Sequence, residues 1–304
     1  MATKKAKEYA EKLKKSRQDS QKMKDYFGLM PLSVLRGMQK SEFTKSLFFY
    51  QHESGTSVSS LNEKIADKMV KSGSDIKTAK TKRCGQSGCG RGAAGLSIMP
   101  ACLVEFFIKY YCPKGGLYFD PFAGQGIQMQ VAKILGVDYI GYDISKKFMA
   151  FNNSVKDKID DGKTRIELFN RDSRDIHLPA NCVDFCFTSP PYWNIEDYGD
   201  EPEQLGKNTY EGFLAGMGQI AKELYRIFKP GGYCVINVND FRMNGKFYNY
   251  HGHIINLFEH AGWKQHDIWI IDSLVACTPQ IFARDFNNKK IAPKVHEYAL
   301  VFKK

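Results

Sequence analysis

Four short stretches of the chain carry residue types and spacings that could do chemistry. The most distinctive is Thr188-Ser189-Pro190-Pro191-Tyr192-Trp193. Two adjacent prolines restrict the backbone and remove two amide donors. What remains is a wall of acceptors, the carbonyls of Ser189 and Pro190 and the Ser189 hydroxyl, followed at once by two aromatic rings. Such a wall suits a planar substrate bearing an amino group: the acceptors take its N–H protons while a ring stacks on its face. The second stretch is Asp120-Pro121-Phe122-Ala123-Gly124-Gln125-Gly126. Its glycines let a ligand approach the backbone closely and open a helix whose N-terminus faces that ligand. A dinucleotide fingerprint would need a third glycine where Met129 stands, so hydride transfer through a nicotinamide cofactor is disfavoured. The third is Asp143, 17 residues after Gly126, where a carboxylate could accept hydrogen bonds from both hydroxyls of a ribose. A glycine turn followed by an acid at that interval implies a cofactor containing adenosine. The fourth is Asp172-Ser173, which could read an adenine amino group or could equally form a turn.

These stretches need elements that bring them together. From about residue 93 onward the pattern alternates between strands and helices. Strands are expected at 117–120, 138–143, 165–169, 183–188, 233–238, 264–271 and 296–302. Helices are expected at 100–111, from the glycine turn to about 135, at 145–160, 209–228 and 247–261, the first of them started by Pro100. Strands separated by helical segments mean an α/β fold with a doubly wound, seven-stranded, mostly parallel sheet. The last two strands have only a loop, 276–294, between them and should pair antiparallel. In such sheets ligands bind at the carboxyl ends of the strands. All four chemical stretches fall there.

The 304 residues are ordinary globular material, 43% hydrophobic and 25% charged, with enough aromatic side chains for a sizeable core. No run of 18 apolar residues occurs, and the lysine-rich start lacks the apolar region of a secretory signal. Eight scattered cysteines do not form a disulfide framework, and reduced thiols in a cytoplasmic setting are expected. Cys84 and Cys89 alone make a poor zinc site, since structural sites need four ligands, so no metal is expected. His251 and His253 are expected in surface or capping roles, and Trp263 and Trp269 in packing. The net charge is +11, and all of it lies in residues 1–92, which hold 20 basic and 9 acidic residues; the remainder is balanced at 24 and 24. Residues 3–25 read as a polar helix, and the glycine-rich segment around Cys84–Cys89 marks a boundary near 93. A basic block of this kind suggests a polyanionic partner, nucleic acid before an anionic membrane, although a solvated tail has the same composition. Arg284, Lys289, Lys290 and Lys294, in the loop before the final strand, could contact phosphates.

Asp-Pro-Phe-x-Gly-x-Gly followed downstream by Ser-Pro-Pro-Tyr resembles the DNA amino-methyltransferases that use S-adenosylmethionine, with a Rossmann-like methyltransferase fold. The resemblance covers about 96–304. It includes the 103–108 helix segment, Phe228-Lys229-Pro230-Gly231-Gly232 and the closing 296–303 strand. It implies that Asp120, Phe122, Gly124 and Gly126 line the cofactor, that Asp143 holds its ribose and Asp172 its adenine. Ser97 to Pro100 would stand near its methionine moiety, although the local sequence there departs from the family pattern. It further implies that Ser189, Pro190, Pro191 and Tyr192 act on the exocyclic amine of a base flipped out of the duplex. A leading serine points to cytosine N4, with adenine N6, an RNA or protein amide, and a non-catalytic DNA-binding module as alternatives. A restriction endonuclease partner is compatible with the family, and the oligomeric state stays open. Relatives usually carry a sizeable target-recognition region. The 194–208 insertion is short and acidic, so residues 1–92 become the candidate for contacting DNA.

Overall fold

The computed structural model describes residues 99–195, 201–272, 290, 291 and 296–304, together with the backbone of Val34–Leu35. In chain order these form β1 (Val34–Leu35), α1 (Ala101–Tyr111), β2 (Leu117–Asp120), α2 (Ile127–Ile134), β3 (Asp138–Asp143), α3 (Lys146–Ile159), β4 (Ile166–Asn170), β5 (Val183–Thr188), α4 (Tyr210–Ile227), β6 (Phe228–Val238), β7 (Phe241–Met243), β8 (Lys246–Tyr248), α5 (Tyr250–His260), β9 (Lys264–Asp272) and β10 (His296–Lys303).

The seven long strands lie in the order β9-β10-β6-β5-β2-β3-β4, and the two-residue β1 pairs parallel with β9 at the edge. β10 runs antiparallel to both neighbours, with Tyr298 opposite Val238 on β6 and Ile270 on β9. The expected antiparallel pairing of the last two strands is therefore present, and the final strand lies inside the sheet instead of at its rim. The other five contiguous strands are parallel. Successive side chains of a strand face opposite ways, and each face of this sheet has its own apolar core. Phe107 of α1, Ile127 and Met129 of α2 and Val155 of α3 share one core with Phe185, Phe187 and Val235. Phe213 and Leu224 of α4 and Ile254 and Phe258 of α5 share the other with Cys186, Ile236 and Leu300. Trp263 and Trp269 are buried in these cores, as expected.

Three local features differ from the expected elements. α5 begins at Tyr250, and a β7–β8 hairpin occupies the segment before it. The reason is Asn244-Gly245, whose φ angles of 51° and 81° are those of a two-residue turn with both central residues left-handed. Such a turn matches the twist of the strands it joins. β6 starts at Phe228, earlier than Tyr233, and takes in the Pro-Gly-Gly segment across a register shift against β5. Pro100 is the N-cap of α1 rather than its first helical residue, and its carbonyl accepts from the amides of Leu103 and Val104. The polar helix expected at 3–25, the Cys84–Cys89 segment and Ser97 lie outside the described residues. So do Arg284, Lys289 and Lys294. Among the described residues no helix is long and apolar enough to cross a membrane.

Candidate active site

The parallel strands β2, β3 and β5 end side by side and deliver their following loops to one edge of the sheet. The glycine turn leaves β2 there. Gly124 has φ 46° and Gly126 has φ 71°, a left-handed conformation at the N-cap of α2 that side chains resist. A Cβ on Gly126 would come within 2.4 Å of Asn152 Oδ1, so the turn sits hard against α3. A Cβ on Gly124 would meet nothing closer than 3.8 Å. The turn is pinned by the Ala123 amide on the Tyr142 carbonyl and by Asn152 Nδ2 on the Gly124 carbonyl. Asn152 is one of the residues that holds this site and that sequence reasoning missed. It sits in an otherwise unremarkable helix, and nothing in the spacing marks it.

Asp143 ends β3 beside this turn. Its Oδ2 accepts from the Gly124 amide and its Oδ1 from the Ser145 amide, both at 2.8 Å. Each carboxylate oxygen can accept two hydrogen bonds. One acceptor position therefore remains on each oxygen, and the residue is only partly buried. That is the donor–acceptor arithmetic of a ribose diol, whose two hydroxyls would donate to the two oxygens. Desolvation of the carboxyl raises its pKa to about 6, against the opposing effect of the two amides. The open face of Gly124, the helix start at Ile127 and the spare acceptors of Asp143 together fit an adenosine-containing cofactor.

Asp120 behaves differently. It is 0% exposed, and its oxygens accept from Thr188 Oγ1 at 2.7 Å, Tyr139 Oη at 3.0 Å and the Phe122 amide at 3.1 Å. These donors come from β5, β3 and its own loop, so the carboxylate ties three strand ends together. Burial raises its pKa to about 6 as well. Its place in the motif is that of a cross-strand tie rather than of a surface offered to a ligand. The Tyr118 hydroxyl makes a parallel tie by donating to the Phe187 carbonyl.

Asp172 makes the contacts of a turn. Its oxygens accept from the Arg174 amide at 2.8 Å and from the Arg174 guanidinium, with Nε at 2.8 Å from Oδ2. The adjacent Ser173 is buried, and its hydroxyl donates to the Pro121 carbonyl at 2.7 Å, joining the loop after β4 to the glycine turn.

The acceptor wall leaves β5. Thr188 pairs with Ile236 on β6, and the wall begins one residue later. Pro190 is buried, while Ser189, Pro191, Tyr192 and Trp193 are partly exposed. The Pro191 carbonyl accepts from the Tyr250 hydroxyl at 3.3 Å, which leaves the Ser189 and Pro190 carbonyls as the wall's other backbone acceptors. Tyr192 meets the Tyr250 ring edge-on at 5.9 Å. Trp193 donates its indole N–H to the Asn208 carbonyl at 2.8 Å and packs on Tyr210 and Tyr248. The wall is thus braced from behind by α4, α5 and the hairpin. Tyr250 is a bracing residue without a sequence signal, since its hydroxyl is paired 59 positions away.

His251 and His253 lie in the first turn of α5. Asp240 accepts from the His251 amide at 3.1 Å and ring Nδ1 at 2.7 Å, and the His253 ring pairs with the Tyr210 hydroxyl at 2.8 Å. Both are structural at the helix start. No cluster of three or more metal-ligating side chains occurs among the described residues.

Comparison with known proteins adds to this geometry. The Type II methyltransferase M.XycI of Xanthomonas campestris pv. cyanopsidis is 36% identical over 81 residues, 26% of this chain and 27% of that protein. M.SfiI of Streptomyces fimbriatus is 32% identical over 68 residues, 22% of this chain and 16% of that protein. The matches thus span 16% and 27% of the length of these two curated relatives. A SAM-dependent methyltransferase from Methanosarcina mazei superposes on 69% of this chain and 99% of its own, at 12% identity and a TM-score of 0.45. The family model described as DNA methylase matches residues 1–154 and 183–304, so it extends into the basic region, beyond the 96–304 span of the motif resemblance. With most of its length matched, the chain belongs to the N6/N4 DNA methylase family.

Proposed function

We propose that the protein transfers a methyl group from S-adenosylmethionine to the exocyclic amine of a base extruded from duplex DNA, with cytosine N4 as the target. The observation that carries this reading is the proline-braced acceptor wall on β5, on the same edge of the sheet as a carboxylate with spare acceptors on β3. Asp143 holds the ribose of the cofactor, Gly124 and Gly126 let it lie against the backbone, and Phe122 borders it. Pro100, the N-cap of α1, and Ser97, three positions before it in the sequence, are proposed to serve the methionine moiety. When bound, the cofactor supplies an electrophilic methyl on sulfonium sulfur.

The chain's own residues prepare the nucleophile. A ring-conjugated amine is a poor nucleophile because its lone pair is delocalised. Hydrogen bonds donated by its N–H groups to the Ser189 hydroxyl and the Pro190 carbonyl favour a more tetrahedral nitrogen, which gains the methyl as the bond to sulfur breaks and then releases one proton to solvent. The prolines hold those acceptors in place, so positioning supplies much of the rate. Tyr192 stacks on the extruded ring and holds it out of the duplex. The serine that leads the wall favours cytosine over adenine.

Residues 1–92 carry the net positive charge and are proposed to contact the DNA backbone. Their removal should weaken DNA binding and flatten its salt dependence. The test of the function is incubation of the full chain with mixed-sequence DNA and S-adenosylmethionine labelled on the methyl group, followed by nucleoside analysis. N4-methylcytosine is expected. N6-methyladenine would move the target to adenine, and label absent from DNA would overturn the reading.

A further inference from the structure

The β7–β8 hairpin leaves the sheet at the carboxyl end of β6, next to the acceptor wall, and nothing in the mechanism above uses it. Its register places Phe241 opposite Tyr248, Arg242 opposite Phe247 and Met243 opposite Lys246. The two faces have opposite characters. Phe241 and Tyr248 stack at 5.0 Å, and Tyr248 continues into Trp193 at 5.4 Å and Tyr210 at 4.8 Å. This face anchors the hairpin to the aromatic brace of the wall. The opposite face carries Arg242, with its guanidinium 5.0 Å from the Phe247 ring centroid. Phe247 is 42% exposed, the most exposed of the large hydrophobic side chains among the described residues. Arg242 and Asn244 are exposed beside it; Lys246, also exposed, lies on the anchoring face with its Nζ 5.0 Å from the Tyr248 ring centroid, and residues 241–250 contain no acid. The carboxylate just before the hairpin, Asp240, is turned inward onto His251.

A guanidinium beside an exposed aromatic ring, with a lysine on the same hairpin and no acid, offers both stacking surface and positive charge. Bases stack on aromatic faces and on guanidinium planes, and phosphates pair with Arg and Lys. The turn chemistry makes the device stiff: Asn244 and Gly245 adopt the left-handed angles of a tight two-residue turn.

We infer that the β7–β8 hairpin is a nucleic-acid grip: Phe247 and Arg242 stack on a base beside the extruded one, and Lys246 pairs with the flanking phosphate of the same DNA strand. The inference rests on the DNA reading above and names the surface that executes part of it. Its anchoring through Tyr248 and Trp193 links the grip to the wall, so a strand held by the hairpin is presented next to Ser189.

The test is binding of the full-length protein to a fluorescent 30-base-pair DNA duplex with one unpaired cytosine, measured over a range of salt concentrations. Phe247→Ala should raise Kd about five- to a hundredfold, the usual effect of losing one base–aromatic stack. Arg242→Ala combined with Lys246→Ala should raise Kd further and lower the slope of log K against log salt by about one, for the single phosphate that Lys246 no longer neutralises. Lys246→Gln, a change at an exposed position, should lower that slope by about one on its own. All variants should keep the wild-type melting temperature and the wild-type affinity for S-adenosylmethionine. Wild-type Kd and slope in these variants would overturn the inference, as would tighter binding to the matching RNA than to DNA. Methyl transfer by the wild-type protein is read separately, so failure of the hairpin and failure of the proposed function are distinct results.

Discussion

The strand ends at β2 and β3 and those at β5 and β6 both look like motif-bearing sites, yet they are built on opposite plans. At the first, the acidic residues are divided between holding the protein and facing outward. Asp120 is fully buried and spends three of its four acceptor positions on internal donors, and Asp143 spends one position of each oxygen on backbone amides and keeps the other. At the second, no carboxylate among the described residues belongs to the acceptor wall itself. The acceptors are the Ser189 hydroxyl and main-chain carbonyls restricted by proline, braced by rings from α4, α5 and the hairpin. A charged group can be released from its tie by a proton, whereas a proline-held carbonyl has no such switch. The first site should therefore respond to pH and to loss of a carboxylate, and the second to loss of aromatic surface.

The sharpest way to break this contrast is Asp120→Ala. It leaves the Thr188 hydroxyl, the Tyr139 hydroxyl and the Phe122 amide without their acceptor in a closed interior. An unsatisfied buried donor costs about 1–3 kcal/mol, so the loss of stability should reach at least about 3 kcal/mol. The midpoint of urea unfolding measures it. A variant of unchanged stability that has lost only cofactor affinity would show that Asp120 faces the ligand after all. Next in size is Tyr192→Ala, expected to reduce kcat/KM for DNA about five- to a hundredfold, equivalent to about 1–3 kcal/mol of stacking. Cofactor affinity should be unaffected, and an unchanged methylation rate would remove Tyr192 from the target site.

The sequence made the sheet, its antiparallel end and the clustering of the motifs legible, because hydrophobic periodicity and strand-end punctuation are local signals. It did not separate Asp120 from Asp143. Both are acids that end a strand, and the donors that fold onto Asp120 from Thr188 and Tyr139, 68 and 19 residues away, set them apart. Asn152 and Tyr250 were invisible for the same reason. The hairpin is another matter: Asn244-Gly245 is a strong local turn signal, and it was overridden by the helical pattern that follows. Asp172 pairs with Arg174 two residues on, a local contact that a short acid in a loop makes whether or not it also faces a ligand.

A third effect separates the two sites through protons. With its pKa raised to about 6, Asp143 is ionised at pH 8 and mostly protonated at pH 5. Protonation turns one of its acceptor oxygens into a donor, which conflicts with the Gly124 and Ser145 amides and with a ribose diol. Affinity for S-adenosylmethionine should therefore fall about tenfold between pH 8 and pH 5, as isothermal titration would record, while Asp143→Asn should bind weakly with no such dependence. For folding the sign reverses. A carboxyl whose pKa is higher in the folded than in the unfolded protein adds stability at acid pH, and that stability is lost as pH rises through about 6. Weakened cofactor binding and firmer folding over one pH range are the joint signature of a desolvated carboxylate at this site.

The smallest effect examines whether the second site depends on its prolines or on its bracing. Tyr250→Phe removes the hydroxyl that donates to the Pro191 carbonyl and keeps the ring that packs on Tyr192. Pro191 is partly exposed, so its carbonyl can turn to water, and the net worth of such a bond is about 1 kcal/mol. Two successive prolines already limit how far that carbonyl can swing. Stability should therefore drop by about 1 kcal/mol or less and kcat by no more than about threefold, measured by urea unfolding and single-turnover methylation. A tenfold loss of kcat at unchanged stability would mean that the wall is aimed from α5 through a hydroxyl. Its rigidity would then belong to the tertiary fold, and the proline pair alone would not be enough to orient the acceptors toward an amine.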